Sequence, residues 1–344
     1  MDPVSVSLAI VAVGLLIIIH ESGHYFAAKW SGMNVSRFSI GFGPIIAKVT
    51  RNETTFTICA IPFGGFVQID GMNPEDGTDP DAPTSYLRRP FHQRFATILA
   101  GPAANYLLGF TLWFGLLVAF NYEPLPPIEV TAVSADSPAE TAGLQKGDLL
   151  TGVAGKPFET VEDFLKAIDD SGGAAIAFDV RRESETKVVT VTPQKVGEGW
   201  RVGVGFAPTE KKAAPLSVGD ALAKSWSRTV EWTKSPFKMI AGMIDGVFGI
   251  DDVSGPIGIV KTMGGAFERS WIDALSFAAA ISIALGIFNL LPIPALDGSR
   301  LLFLLVGLIR RRPVDSRVEA WVHGGGFVLL AALIVVVSVF DVLR

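Results

Sequence analysis

The chain has 344 residues, 49% of them hydrophobic and only 18% charged, with a mean hydropathy of +0.41. That is too apolar for an ordinary soluble protein of this size, so the composition points to the membrane class. A net charge of −5 without any Lys/Arg-rich tract interleaved with aromatics excludes a nucleic-acid-binding protein, and a single cysteine, Cys59, excludes an internal disulfide and argues against a sulfur-ligated metal site.

Uncharged runs at Val4 to Ile19, Phe95 to Asn121, Ala274 to Leu296 and Ala320 to Phe340 predict four membrane-crossing helices, because a hydrocarbon core of about 30 Å takes roughly 20 apolar residues. The first run continues through His20, Glu21 and His24 to Trp30, and with no Lys or Arg before Lys29 it lacks the basic start of a cleavable signal peptide and reads as a retained helix. Residues 32 to 70 alternate β-branched and aromatic runs with glycine and proline, a pattern of short strands and turns. Residues 71 to 90, with Pro74, Pro80 and Pro83, read as a loop. The second membrane helix follows, with Gly101-Pro102 near its entrance and Asn105 within it.

From Pro124 the composition changes to that of a soluble domain ending near Pro208. Strand patterns at Ile128 to Val133, Leu149 to Ala154, Ile176 to Arg181, Thr186 to Thr192 and Arg201 to Phe206 surround one helical stretch, Val161 to Ile168. Lys211 to Phe267 spaces aromatics and charges as amphipathic helices at a membrane face do, and Gly255-Pro256-Ile257-Gly258 within it reads as a turn. The expected organisation is a first membrane half at residues 1 to 123, an inserted domain at 124 to 208, and linker helices with a second membrane half at 209 to 344. Basic residues cluster between the first two helices (Lys29, Arg37, Lys48, Arg51, Arg88, Arg89, Arg94) and between the last two (Arg300, Arg310, Arg311, Arg312, Arg317). The positive-inside rule puts both connections in the cytoplasm, and both termini and the inserted domain outside.

His20-Glu21-Ser22-Gly23-His24 is an H-E-x-x-H pattern on the first helix. A spacing of four stacks two imidazoles on one helical face where both can ligate a single Zn²⁺, with the intervening Glu21 placed as a base for water. Such residues cost about 2 to 3 kcal/mol each to insert in a membrane and persist where they line a functional cavity, the competing reading being a polar contact between helices. Two imidazoles need a third protein ligand, and Asp297 is the candidate: Pro292 and Pro294 interrupt the apolar run just before it. Its competing reading is an interfacial cap for a helix at Ser299 to Ile309. His92 and His323 read as interfacial or interhelical.

The H-E-x-x-H helix, the N-x-x-P-x-P-x-L-D-G string from Asn289 to Gly298 and the inserted domain together resemble the site-2 protease family, in particular its bacterial RseP type, over essentially the whole chain. Gly41-Phe42-Gly43-Pro44, Pro62-Phe63-Gly64-Gly65-Phe66, Gly101-Pro102-x-x-Asn105 and Gly255-Pro256-Ile257-Gly258 belong to the same likeness. The resemblance implies a polytopic α-helical membrane protein with four transmembrane helices, a membrane-associated β region and one inserted PDZ-like mixed β domain. It implies a zinc endopeptidase of the bacterial inner membrane that cuts transmembrane segments of single-pass proteins, such as anti-sigma factors already trimmed by another protease, or remnant signal peptides. It makes His20, His24 and Asp297 zinc ligands, Glu21 the base and Asn289 a substrate contact. The strands that include Gly64, Gly65 and Phe66 would hold unwound substrate as an added strand. The string from Asp136 to Asp148 resembles circularly permuted PDZ domains of bacterial proteases, which puts a carboxylate-binding loop around Gly203, Val204 and Gly205; a domain that only screens bulk is the alternative.

Two other classes compete with a protease. A membrane-tethered PDZ scaffold with a non-catalytic metal site would not need Glu21 between the ligands. A transporter would need further ionisable residues along the second and fourth runs, which carry only His323.

Overall fold

A computed structural model describes residues 1–73, 77–79, 81–120, 122–158, 161–183, 185–196, 199–212, 216–244 and 254–343. Pro74 and Pro80 of the expected loop, Asn121 at the end of the second apolar run, and residues 213–215 and 245–253 of the expected amphipathic stretch lie outside the described residues. In chain order the elements are α1 (Pro3–Trp30), β1 (Val35–Arg51), β2 (Thr54–Ile69), α2 (Phe91–Phe120), β3 (Tyr122–Val133), α3 (Pro138–Thr141), β4 (Leu149–Val153), β5 (Lys156–Pro157), α4 (Val161–Asp170), β6 (Ile176–Arg182), β7 (Glu185–Val191), β8 (Gln194–Val196), β9 (Gly199–Arg201), β10 (Val204–Lys212), α5 (Val218–Ile244), α6 (Pro256–Arg269), α7 (Trp271–Leu290), α8 (Asp297–Ile309) and α9 (Ser316–Leu343). They form two compact units, Met1–Trp113 with Trp226–Pro236 and Val253–Arg344, and Phe114–Ser225 with Phe237–Asp252.

Four helices, α1, α2, α7 and most of α9, are long and apolar enough to cross a membrane. α1 starts where Asp2 accepts the N–H groups of Val4 and Ser5, with Pro3 in the first turn. α7 stops at Leu290, short of the apolar run's end at Leu296. Leu291, ahead of Pro292, is extended (φ −66°, ψ 142°), as the residue before a proline must be. α1 packs on α6 and α7 through Ala9, Leu16, Met263, Ala274 and Ala278, small residues among them allowing close approach of the backbones.

Residues 35 to 69 form an antiparallel hairpin that doubles back on itself: residues 37 to 40 pair with 65 to 68 and also with 55 to 58, which in turn pair with 47 to 50, so the segment is the set of short strands and turns expected from its glycines. Its tip is the pair Asn52 and Glu53, both left-handed, as a tight hairpin turn requires. Gly41 and Gly43, both left-handed, fall at the irregular bend where the hairpin doubles back. Gly255-Pro256-Ile257-Gly258 is not a free turn: it opens α6, and Asp341 near the end of α9 accepts the N–H groups of Gly255 at 3.2 Å and Gly258 at 2.8 Å. A carboxylate only 3% exposed is tolerated there because the helix N-terminus supplies donors and positive potential.

In the second unit an antiparallel sheet runs β10-β3-β4-β6-β7, with β5 at the side of β4. Alternate residues Ile176, Phe178 and Val180 of β6 turn inward to meet Ile128, Val130, Leu150 and Phe164 of α4, the mixed β arrangement the alternation predicts. Asp148, 1% exposed, is held by a two-pronged hydrogen bond from Arg182 (2.6 and 2.7 Å) and by the Gln145 N–H at 2.9 Å. Burial alone would raise its pKa; the Arg182 fork outweighs that and holds the carboxyl below its ordinary range.

Arg182→Ala leaves that carboxylate buried with one donor and should destabilise the sheet by about 3 kcal/mol near neutral pH. Because the folded pKa is depressed, the stabilisation is complete above about pH 4 and is lost as pH falls through the folded value. The difference between wild type and Arg182→Ala should therefore shrink below pH 4, measured by hydrogen exchange of the Leu150 and Val180 amides in the full-length protein.

Candidate metal centre

His20 and His24 lie one turn apart on α1, 6% and 9% exposed, with their rings nearly perpendicular. Asp297, the first residue of α8, brings a carboxylate to the same point. His20 Nε2, His24 Nε2 and Asp297 Oδ2 are mutually 3.2 Å apart. A tetrahedral ion with bonds of about 2.0 to 2.1 Å spaces its ligand atoms about 3.3 Å apart, so the triangle has the size Zn²⁺ needs.

The hydrogen bonds behind the triangle decide where the protons sit. His24 Nδ1 is 2.9 Å from the Thr97 carbonyl, which can only accept, so Nδ1 carries a proton, and in the neutral imidazole that a metal requires the Nε2 lone pair faces Asp297. A lone pair against a carboxylate oxygen at 3.2 Å is repulsive until a proton or a metal ion lies between them, and a metal ion serves all three atoms at once. His20 Nδ1 is 3.2 Å from the side-chain amide of Asn105, which is fully buried and whose Oδ1 otherwise has no partner among the described residues. An imidazole that binds metal through Nε2 must donate from Nδ1. The amide group facing it is then the carbonyl oxygen, an exchange of O and N that satisfies both atoms at once.

Thr97, Gly101 and Asn105 recur every four residues along one face of α2. A Cβ on Gly101 would fall 2.2 Å from His24 Nε2, so only glycine leaves that nitrogen free. Neither Gly101 nor Asn105 received a role from the sequence, although the Gly101-Pro102-x-x-Asn105 string was legible. On the opposite side β2 lies over α1: a Cβ on Gly65 would meet Glu21 Cγ at 3.3 Å and the Ser39 carbonyl at 2.8 Å.

Of the residues expected to touch substrate, Gly65 is beside Glu21, whereas Gly64 lies under the Phe42 ring and Phe66 stacks on Phe42 at 6.1 Å with Arg37 over its face. Asn289 donates to the Leu285 carbonyl of its own helix at 2.9 Å. Gly203, Val204 and Gly205 belong to the second unit: the Gly203 carbonyl accepts from Ser134 N–H, and Val204 and Gly205 pair with Val133 and Ala132 of β3. His92 is exposed, and His323 joins α9 to α8 through Ser299 Oγ at 3.4 Å and the Phe303 ring, the interhelical role expected of it.

Apolar spanning helices and a two-histidine, one-carboxylate triangle buried among them define a membrane-embedded zinc enzyme. Comparison with known proteins agrees. Residues 8–333 match the sequence profile of Peptidase family M50. The zinc metalloprotease RasP of Geobacillus kaustophilus is 31% identical over 411 residues, covering 97% of this chain and 96% of its own. A candidate zinc metalloprotease of Nostoc sp. is 34% identical over 340 residues (96% and 93%), and another of Fusobacterium nucleatum is 34% identical over 355 residues (97% of each). The chain belongs to Peptidase family M50, the site-2 proteases, and is a multi-pass intramembrane zinc metalloprotease.

Two substitutions test the supports of the triangle by zinc affinity against a competing chelator. Gly101→Ala should lower affinity about 5- to 150-fold, since the added methyl displaces the His24 ring and overpacking costs about 1 to 3 kcal/mol. Asn105→Ala should lower it about 10- to 100-fold by freeing the His20 tautomer. Unchanged affinity in Asn105→Ala would remove that amide from the site.

Proposed function

We propose that His20, His24 and Asp297 hold the zinc ion and that Glu21 is the general base of peptide-bond hydrolysis. The observation that carries this reading is the 3.2 Å triangle of two imidazole nitrogens and a carboxylate oxygen, the spacing of ligand atoms around one tetrahedral ion. When bound there, zinc supplies Lewis-acid activation of water and of the scissile carbonyl. Glu21, between the two histidines on α1, takes the proton from the attacking water and hands it to the leaving nitrogen. Thr97 and Asn105 keep the imidazole Nε2 lone pairs turned inward throughout.

A transmembrane helix hides its own carbonyls in hydrogen bonds, so the scissile segment has to be unwound before it can react. The β1–β2 hairpin favours strand addition as the means. Gly65 brings the β2 backbone against Glu21, so a peptide paired along this hairpin runs past the base. Gly64 and Phe66 shape that strand through Phe42, and Asn289 would leave Leu285 to hold the substrate backbone. The substrates are single-pass membrane proteins, anti-sigma factors pre-trimmed by another protease or remnant signal peptides. The enzyme sits in the bacterial inner membrane with both termini and the inserted domain outside, the orientation supported by the basic residues of the two short connections. Residues 124 to 208 act as one PDZ-like domain that selects substrates, with Gly203, Val204 and Gly205 at its terminus-binding end.

Glu21→Gln should keep full zinc content, since Gln is nearly isosteric and Glu21 is not in the ligand set, while cleavage of a model single-pass substrate in detergent falls about 10²- to 10⁴-fold. Equal rates for zinc-loaded wild type and zinc-loaded Glu21→Gln would remove Glu21 as the base. Loss of zinc in Glu21→Gln would instead move it into the ligand set.

A further inference from the structure

Proteolysis makes no use of a cavity of about 720 Å³ that runs along α8 in the first unit. Its α8 wall is one helical stripe, Arg300, Phe303, Leu304, Gly307, Leu308 and Arg311, at spacings of three and four. An arginine therefore stands at either end of an apolar strip about 16 Å long. Arg94 from the first turn of α2 and Arg312 add two more cations, against a single acidic side chain among the described lining residues, Glu319.

These cations are only partly engaged by the protein. Among the described residues none of the four arginines forms an ion pair. Arg300 donates to Asn73 Oδ1 at 2.6 Å, and Arg94 lies over the Tyr86 ring while its buried Nε has no acceptor among the described residues. The backbone adds an independent sign. α8 ends in a Schellman turn, with Arg312 N–H on the Gly307 carbonyl and Arg311 N–H on that of Leu308. The left-handed residue of such a turn is favoured as glycine, yet Arg311 occupies it at φ 54°. A non-glycine residue held in that conformation at the rim of a cavity fits a role there.

We propose that this cavity binds an acidic phospholipid. Its phosphate takes charge-assisted hydrogen bonds from Arg311 and Arg312, backed by Arg94, and an acyl chain lies on Phe303, Leu304 and Leu308 over the space that Gly307 leaves open. A free phosphate has no use for the apolar strip. An acidic peptide would bring backbone donors and acceptors that the strip cannot satisfy. The basic turn between α8 and the spanning helix α9 puts the rim at a bilayer surface, where basic pockets between helices meet anionic headgroups, whichever side of the membrane it faces.

The test is native mass spectrometry of the full-length zinc protein in neutral detergent, titrated with dioleoyl phosphatidylglycerol, dioleoyl phosphatidylcholine or glycerol 3-phosphate. Two variants probe separate features. R311N/R312Q removes charge while keeping a residue tolerant of the left-handed turn. Gly307→Leu fills the cavity without touching charge, and a Cβ there meets its neighbours only at 3.5 Å and beyond, an ordinary contact. Unchanged zinc content in each variant reports that it is folded. The expected result is one phosphatidylglycerol bound in preference to phosphatidylcholine, weakened about fivefold per arginine, or about 25-fold in R311N/R312Q, and lost in Gly307→Leu. Equal binding of the two lipids would overturn headgroup recognition. Glycerol 3-phosphate binding as tightly as the lipid would overturn the acyl site. Retention of phosphatidylglycerol by Gly307→Leu would show that the arginines attract lipid at the surface and that the cavity is not the site.

Discussion

Two imidazole nitrogens and a carboxylate oxygen meet at 3.2 Å inside a bundle of apolar helices, and without a cation between them each would repel its neighbours. The surrounding helices are arranged around that constraint. α2 must come close enough for the Thr97 carbonyl and the Asn105 amide to fix both tautomers, which only glycine at position 101 permits. α7 is tied to the same point of α2 by the Ser282 hydroxyl on the Asn105 carbonyl at 2.9 Å. It then has to break at its prolines so that α8 can begin with Asp297 in reach. Buried polar groups of this kind are stable only as a fully satisfied set, which is why the positioning residues are as demanding as the ligands.

The hairpin supplies what helices cannot. Backbone groups in a spanning helix are already paired, whereas the outer segment of the doubled hairpin, residues 65 to 69, pairs with β1 on one side and keeps its other edge of N–H and C=O groups for another chain. With Gly65 against Glu21, that edge and the general base are parts of one surface. The antiparallel sheet of the second unit has its own aromatic core around Phe164 and its own buried ion pair, Asp148 with Arg182. Neither depends on the metal centre for its partners.

α8 connects two kinds of chemistry in 13 residues. Its first residue is Asp297, and Arg311 lies just beyond its last turn, so a ligand seated along its length would bear on the helix that presents the carboxylate. The opposite end of the bundle is fastened differently, by Asp341 of α9 capping α6.

Much of this was legible in the sequence because it is local. The four spans follow from runs of about 20 apolar residues, and the pairing of His20 with His24 follows from a helical spacing of four. The prolines ahead of Asp297 mark a helix break whatever lies around them. Where local signals have two outcomes, the sequence could not choose: the turn-like Gly255-Pro256 opens a helix, and Asp341, 86 residues away, caps it. The roles of Gly101 and Asn105, the protonated nitrogen on each imidazole, and the contact of Gly65 with Glu21 were decided only by tertiary structure. They depend on how closely helices and strands distant in the chain approach one another, and no periodicity of three or four residues carries that distance.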